Sequence, residues 1–254
     1  MSDNPFARPG AAARYAAGRP DFHATVIERA RRHVAPTGRL ARALDIACGT
    51  GQSTRALRAI ADTAIRLDAS TAMLREADDT AGAHYVAAAA EALPFAADSF
   101  DLVSVALALH WFDRRRFLAA VGRVLRPGGW LIVYDCGFRG EMIGQRRFRD
   151  WAQAYYARYP GPPRAGGGIS VKQAARAGLV VHHDETHATD IVMTRDAFVA
   201  YLTSQSNAIA AADRAGGAFA AIEQWIRDSV DHFFADGPQT LRFGGTIEYL
   251  RKRD

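Results

Sequence analysis

The segment Leu44-Asp45-Ile46-Ala47-Cys48-Gly49-Thr50-Gly51-Gln52-Ser53-Thr54 gathers groups that could hold a charged ligand. An apolar run, Leu40 to Ile46, leads into it, and a helix predicted over about Gln52 to Ala61 leaves it. Gly49 and Gly51 let the backbone turn tightly and let a ligand approach closely. The helix start adds N–H groups without intrahelical partners. Asp45 is expected as a fixed carboxylate at the carboxyl edge of a sheet, and Asp68 ends the next predicted strand. An acid placed there can accept both hydroxyls of a ribose. A dinucleotide turn uses similar geometry, but its third glycine position is Thr54 here. That turn also holds a pyrophosphate and needs no carboxylate beside it. An acid at position 45 suits a ligand bearing an ammonium or a sulfonium.

The surrounding pattern supplies the elements that must position these groups. Asp21 can cap a helix ending near Val34, before Pro36 and Gly38. Strands are predicted at Leu40 to Ile46, Thr63 to Asp68, His84 to Ala87, Asp101 to Leu109 and Trp130 to Asp135. Helices are predicted between them, at about Gln52 to Ala61, Thr71 to Asp79 and Arg114 to Leu125. The fourth strand is nearly all apolar, as a strand covered on both faces should be. This alternation implies an α/β, doubly wound parallel sheet. Residues 1–20 read as irregular, and residues 138–178 as a helix, a loop and a short helix. Leu179 to Met193 reads as a strand, Arg195 to Ser204 and Phe219 to Phe234 as helices, and Thr240 to Leu250 as a closing strand. No linker separates two domains, so a single domain is expected: a cap at 1–38, a ligand-binding core at 39–137, an insert at 138–178 and C-terminal strands and helices at 179–254.

Composition bounds the function. The chain has 254 residues, 49% hydrophobic and 23% charged, which fits a globular protein with a full core. The net charge of +5 is supplied almost wholly by arginine, since Lys172 and Lys252 are the only lysines. Spread over this length it is a weak bias toward nucleic acid. No secretory h-region and no membrane-length apolar run is present, so a cytoplasmic location is expected. Cys48 and Cys136 fall at the ends of non-neighbouring strands, about 9–10 Å apart and beyond disulfide reach. Two reduced thiols are expected.

The residues also resemble a known family. Asp45-Ile46-Ala47-Cys48-Gly49-Thr50-Gly51 is similar to the first motif of the class I S-adenosylmethionine (SAM) dependent methyltransferases. Leu67-Asp68-Ala69-Ser70 with Met73-Leu74 resembles the second motif, and Ala90-Glu91-Ala92-Leu93-Pro94-Phe95 with Asp98-Ser99-Phe100-Asp101 the third. Arg123-Val124-Leu125-Arg126-Pro127-Gly128-Gly129 resembles the segment before the fifth strand. Four motifs in order, over about a third of the chain, are together highly specific. His110-Trp111-Phe112-Asp113, Tyr15 with Arg19-Pro20, and Tyr201-Leu202-Thr203 with Ser206 are similar to the small-molecule branch containing trans-aconitate methyltransferase-like proteins. Ala47 stands where the family often has glycine, and Ala89 where many relatives have an aspartate for the adenine amino group.

The resemblance implies a seven-stranded sheet of order 3-2-1-4-5-7-6 with the last strand antiparallel, a helical insert over the substrate, and SAM as cofactor. It implies that Asp45 binds the methionine amino group and that Ala47, Gly49 and Gly51 shape the backbone around the methionine and ribose. Asp68 would take the ribose hydroxyls, with Ala69 beside it. Ala90 and Glu91 would border the adenine with Leu109 nearby, and Tyr15 and Trp111 would wall the pocket or else be core. Asp45 and Asp68 also have a bland reading, as residues that merely end strands. Methyl transfer is an in-line displacement that needs alignment and exclusion of water. His110, just after the fourth strand, is the best-placed candidate for a catalytic proton acceptor where the nucleophile is a hydroxyl; its other reading is a histidine that bonds backbone at the start of the next turn.

Several clusters lie outside these motifs. Arg114-Arg115-Arg116 follows the expected helix cap Asp113, and Arg146, Arg147, Arg149, Arg158 and Arg164 fall in the insert. They are surface charge or a site for an anionic substrate, for which the guanidinium fork is suited. His183, Glu185 and His187 share one face of a strand. No metal is expected, because that strand lies away from the cofactor and the reaction needs none. The expected function is methyl transfer to an oxygen, a carboxylate or a hydroxyl, of a small molecule, in a monomer or homodimer. Alternatives are methylation of RNA or another macromolecule, and SAM binding without catalysis. The nucleic-acid reading is disfavoured because Leu109-His110-Trp111-Phe112 lacks the Asn/Asp-Pro-Pro-aromatic run that would hold a base.

Overall fold

Leu102, Val103 and Val105 are fully buried because helices cover both faces of their strand. The structure, a computed structural model, describes residues 10–77, 84–163, 166–214, 216 and 219–254. In chain order its elements begin with α1 (Ala11–Gly18), α2 (His23–Val34), β1 (Leu40–Ile46), α3 (Gln52–Leu57), β2 (Ala61–Asp68), α4 (Thr71–Arg75), β3 (His84–Ala87), β4 (Phe100–Ala106) and α5 (Arg114–Val124). They continue with β5 (Leu125–Tyr134), β6 (Gly137–Met142), α6 (Phe148–Arg158), α7 (Val171–Arg176), β7 (Leu179–Met193), α8 (Arg195–Thr203), α9 (Ser206–Arg214), α10 (Phe219–Val230) and β8 (Gln239–Lys252).

The chain divides into two compact units, each built from separated stretches. One comprises residues 21–136, 164–187 and 245–254. In it β1 pairs in parallel with β2 and β4, β2 with β3, and β4 with β5. Residues Ile247–Arg251 of β8 run antiparallel to β5, and β7 also pairs with β8. The order β3-β2-β1-β4-β5-β8 with β7 on β8 is the expected 3-2-1-4-5-7-6 once the additional strand β6 is counted. Leu44, Ile46, Leu67, Val103, Val105 and Leu131 form a core with Phe117, Leu118 and Val121 of α5 and Ala174 of α7. Each such side chain contributes roughly 1.5–3 kcal/mol by leaving water. Gly122 lets α5 approach the chain after α7, since a Cβ there would lie 2.2 Å from the Ala177 carbonyl oxygen.

The other unit comprises residues 1–20, 137–163 and 188–244. Its core is aromatic: Phe138, Phe148, Phe198, Tyr201, Phe233 and Phe243 are buried against one another. Here β6 pairs antiparallel with the first half of β8. Gly18 lets α1 meet α8, because a Cβ there would lie 2.3 Å from the Ala200 carbonyl oxygen.

Several sequence expectations need correction. Residues 11–18, read as irregular, form α1, and Ser206–Arg214 forms a helix that was not expected. Gly137–Met142, read as part of a helical insert, is a strand, paired with β8. Strand β4 stops at Ala106 rather than Leu109, because Leu107 takes a φ of 57° and the chain then enters a 3-10 turn, Leu109–Trp111. Helix α3 is shorter than expected, ending at Leu57 so that β2 can start at Ala61. Helix α4 starts at Thr71 as expected, capped by the Ser70 hydroxyl, and ends at Arg75. The expected end at Asp79 lies outside the described residues, as do residues 1–9 and Arg164.

Candidate cofactor site at the glycine turn

Asp45 ends an apolar strand and is fully buried. Its Oδ2 accepts hydrogen bonds from Ser53 Oγ and Thr54 Oγ1 on α3, both at 2.5 Å. Its Oδ1 is buried and accepts none among the described residues. Burial raises the Asp45 carboxyl to about 6. The Ser53 and Thr54 bonds oppose that shift, the charge of Asp68 adds to it, and Arg66 opposes it. A buried acceptor without a donor is costly, and a charged one more so. The arrangement therefore fits a cationic donor such as an ammonium.

The turn after β1 is left-handed at three alternate residues. Ala47, Gly49 and Gly51 have φ of 55°, 56° and 83°. Glycine adopts these angles freely, while Ala47 bears a cost of about 1 kcal/mol. The turn is packed from beneath: a Cβ on Gly49 would lie 3.0 Å from Met73 Cε, and one on Gly51 3.2 Å from the Arg66 guanidinium carbon. Asp68 ties this turn to the next one. Its Oδ2 accepts from Gly49 N at 2.8 Å and its Oδ1 from Ser70 N at 2.7 Å. Burial pushes its carboxyl up, and the backbone bonds from Ser70, Gly49 and Ala69 oppose that. Its two oxygens offer about four lone-pair sites, one more than these three bonds use, which leaves room for an incoming hydroxyl. Ala69 beside it is exposed.

Parallel pairing places Tyr85, Arg66, Asp45 and Ser104 in one row across four strands. Arg66 is fully buried and donates from Nη1 to the Tyr85 hydroxyl at 2.5 Å. Ser104 Oγ is buried without a hydrogen-bond partner, in register with Asp45. Cys48 and Cys136 are buried thiols. Burial first, then the charges of Asp45 and Asp68, push the Cys48 thiol well above its ordinary value.

The remaining expected residues follow β3 and β4. Ala90 is buried, and Glu91 Oε1 accepts from Asp113 N at 2.9 Å, so its carboxylate braces the start of α5. Leu109 is buried in the 3-10 turn, and the His110 ring centroid is 4.6 Å from that of Trp111. Thus Asp45, Ala47, Gly49, Gly51, Asp68, Ala69, Ala90, Glu91, Leu109 and His110 all occupy the carboxyl ends of β1, β2 and β4 or the turns after β1–β4. Tyr15 lies on α1 in the other unit, with the Arg19 guanidinium 4.7 Å over its ring.

The arginine cluster has mixed duties. Arg114 donates to the carbonyls of Gly166, Gly167 and Gly168, at 3.2, 2.5 and 2.7 Å, and so fastens the glycine run. Arg115 and Arg116 are exposed. In the other unit Arg149 pairs with Glu141, and Arg158 lies over Trp225. Arg146 and Arg147 are exposed. Sequence reading did not single out Ser53, Thr54 or Arg66 for the site. A charged Arg66 within the apolar run Ala64-Ile65-Arg66-Leu67, like the lone Ser104 in β4, was the available signal.

Comparison with known proteins agrees with this geometry. The sequence model of a methyltransferase domain matches residues 44–133. Over that stretch, about a third of the chain, the protein is similar to a methyltransferase domain. The malonyl-[acyl-carrier protein] O-methyltransferase of Enterobacter lignolyticus is 43% identical over 98 residues, 38% of this chain and 39% of that protein. The matched segment thus spans about two fifths of that curated relative's length. Among solved structures, a protein of Anaeromyxobacter dehalogenans provisionally assigned as a type II methyltransferase superposes with a TM-score of 0.67 at 24% identity, over 92% of this chain and 97% of that one. The phosphoethanolamine N-methyltransferase 2 of Haemonchus contortus, solved with S-adenosyl-L-methionine, superposes with a TM-score of 0.55 at 17% identity, over 98% and 59%. These likenesses concern the fold. Among the described residues, no helix is long and apolar enough to cross a membrane.

Proposed function

We propose that the chain transfers the methyl group of SAM to an oxygen of a small molecule. The observation that carries this is the buried Asp45 carboxylate, with Oδ2 held by Ser53 and Thr54 and Oδ1 buried without a donor among the described residues. That oxygen binds the cofactor's ammonium, directly or through one water. Gly49 and Gly51 shape the backbone beside the methionine and ribose. Asp68, already fixed by backbone amides that include those of Gly49 and Ser70, accepts the ribose hydroxyls. Ala90 and the backbone of Glu91 border the adenine, beside Ala69, and Leu109 closes the pocket. When bound, SAM supplies a methyl already activated by its sulfonium. The protein's share is to align the nucleophile with that carbon and exclude water.

Oxygen is favoured as the acceptor because the Enterobacter relative is named as an O-methyltransferase. The His110-Trp111-Phe112-Asp113 segment, similar to the trans-aconitate methyltransferase-like branch, favours a small and acidic substrate. A carboxylate acceptor is already ionised at neutral pH, whereas a hydroxyl needs His110 to take its proton. Incubation of the full chain with methyl-labelled SAM, a panel of small acids and phenols, and RNA tests this reading. Label is expected in small molecules. Replacing His110 with Ala should lower kcat roughly a hundredfold for hydroxyl acceptors and leave carboxylate acceptors nearly unchanged. Label in RNA alone would overturn the proposal.

A further inference from the structure

Away from the glycine turn, three metal-ligating side chains converge at the end of α2. His33 lies in the last turn of that helix, and His183 and Glu185 are alternate residues of β7. One ligand atom from each lies within 4.8 Å of the other two. Tetrahedral zinc with ligands near 2.0–2.2 Å separates them by about 3.3 Å, a gap that small side-chain rotations close. The set differs from the one strand alternation suggests. His187 shares the face but is withdrawn, its Nε2 lying 2.8 Å from the Asp135 carbonyl oxygen. His33 takes its place.

A second observation points to a ligand at the cluster. The buried Oε1 of Glu185 and the hydroxyl of the fully buried Tyr249 lie against one another, and neither has a further hydrogen-bond partner among the described residues. The Tyr249 ring lies 4.7 Å from that of His33 and 5.9 Å from that of His183, so it walls both imidazoles. The carbonyl end of α2 favours a cation there. Two imidazoles and one carboxylate suit zinc and its late first-row neighbours, whereas magnesium and calcium prefer all-oxygen shells.

We propose that His33, His183 and Glu185 bind a divalent zinc-class cation, with water as the fourth ligand, and that the ion clips the end of α2 to β7. The proposal does not depend on the methyltransferase reading. Thermal unfolding of the full chain with zinc chloride tests it. At about a hundredfold excess over its dissociation constant, zinc should raise Tm by roughly 5–10 °C, and magnesium should not. The double substitution His33→Gln, His183→Gln and, separately, Glu185→Gln should remove most of that rise while leaving a cooperative zinc-free melt and the parent's far-ultraviolet circular dichroism, which shows that the variants fold. Cobalt should give a tetrahedral visible band in the parent chain and none in the double variant. No rise with zinc, or an equal rise in the double variant, would overturn the site.

Discussion

Asp45 shows how burial sets the chemistry of a single residue. Its carboxyl, raised to about 6, sits above the value of 3.8 ordinary for the unfolded chain. Its protonation therefore favours the folded state, a contribution fully present below pH 3.8 and lost as pH rises through 6. Above that pH the fold keeps a costly buried charge, which the cofactor's ammonium would offset. Affinity for SAM should accordingly fall about tenfold between pH 7.5 and pH 5, as the carboxylate is protonated. Calorimetric titration at the two pH values checks this, and a flat affinity would remove Asp45 from the site. The acid was legible because it follows an apolar strand and precedes two glycines. The roles of Ser53, Thr54 and Arg66 were not, because they arise only when α3 and β2 fold against β1.

At the scale of elements, strands with strong patterning were read correctly. β1, β3 and β7 have the expected ends, and Asp113 caps α5 through a bond from Arg116 N. The misses have physical reasons. Helix α1 is Ala-rich and starts at Gly10, whose φ of 73° gives no side-chain cap to read. Strand β6 contains Gly137 and Gly140, which read as turn signals, yet its pairing with β8 decides its state. Close packing of helices was also invisible. Gly122→Ala would drive a Cβ to 2.2 Å from the Ala177 carbonyl oxygen, a backbone atom with little freedom to move. Such overpacking costs about 1–3 kcal/mol, so Tm should drop by roughly 3–10 °C in a thermal melt. An unchanged Tm would show that α5 and the chain after α7 are loosely packed.

Across the whole molecule, the alternation of strands and helices foretold the parallel sheet, and four ordered motifs carried the resemblance to the methyltransferases. The division into two units was not legible, because each unit is assembled from stretches distant in sequence. The arginine surplus, which first suggested an anion partner, turns out to be partly structural: Arg114 fastens the Gly166–Gly168 run and Arg123 donates to the carbonyls of Leu93 and Phe95. The central claim is that the turn with Asp45 and Asp68 binds SAM and not a dinucleotide. Isothermal titration of the full chain at pH 7.5 with SAM, and separately with NAD, tests it most directly. The account predicts saturable binding of one SAM per chain and no heat with NAD; binding of NAD without binding of SAM would contradict it.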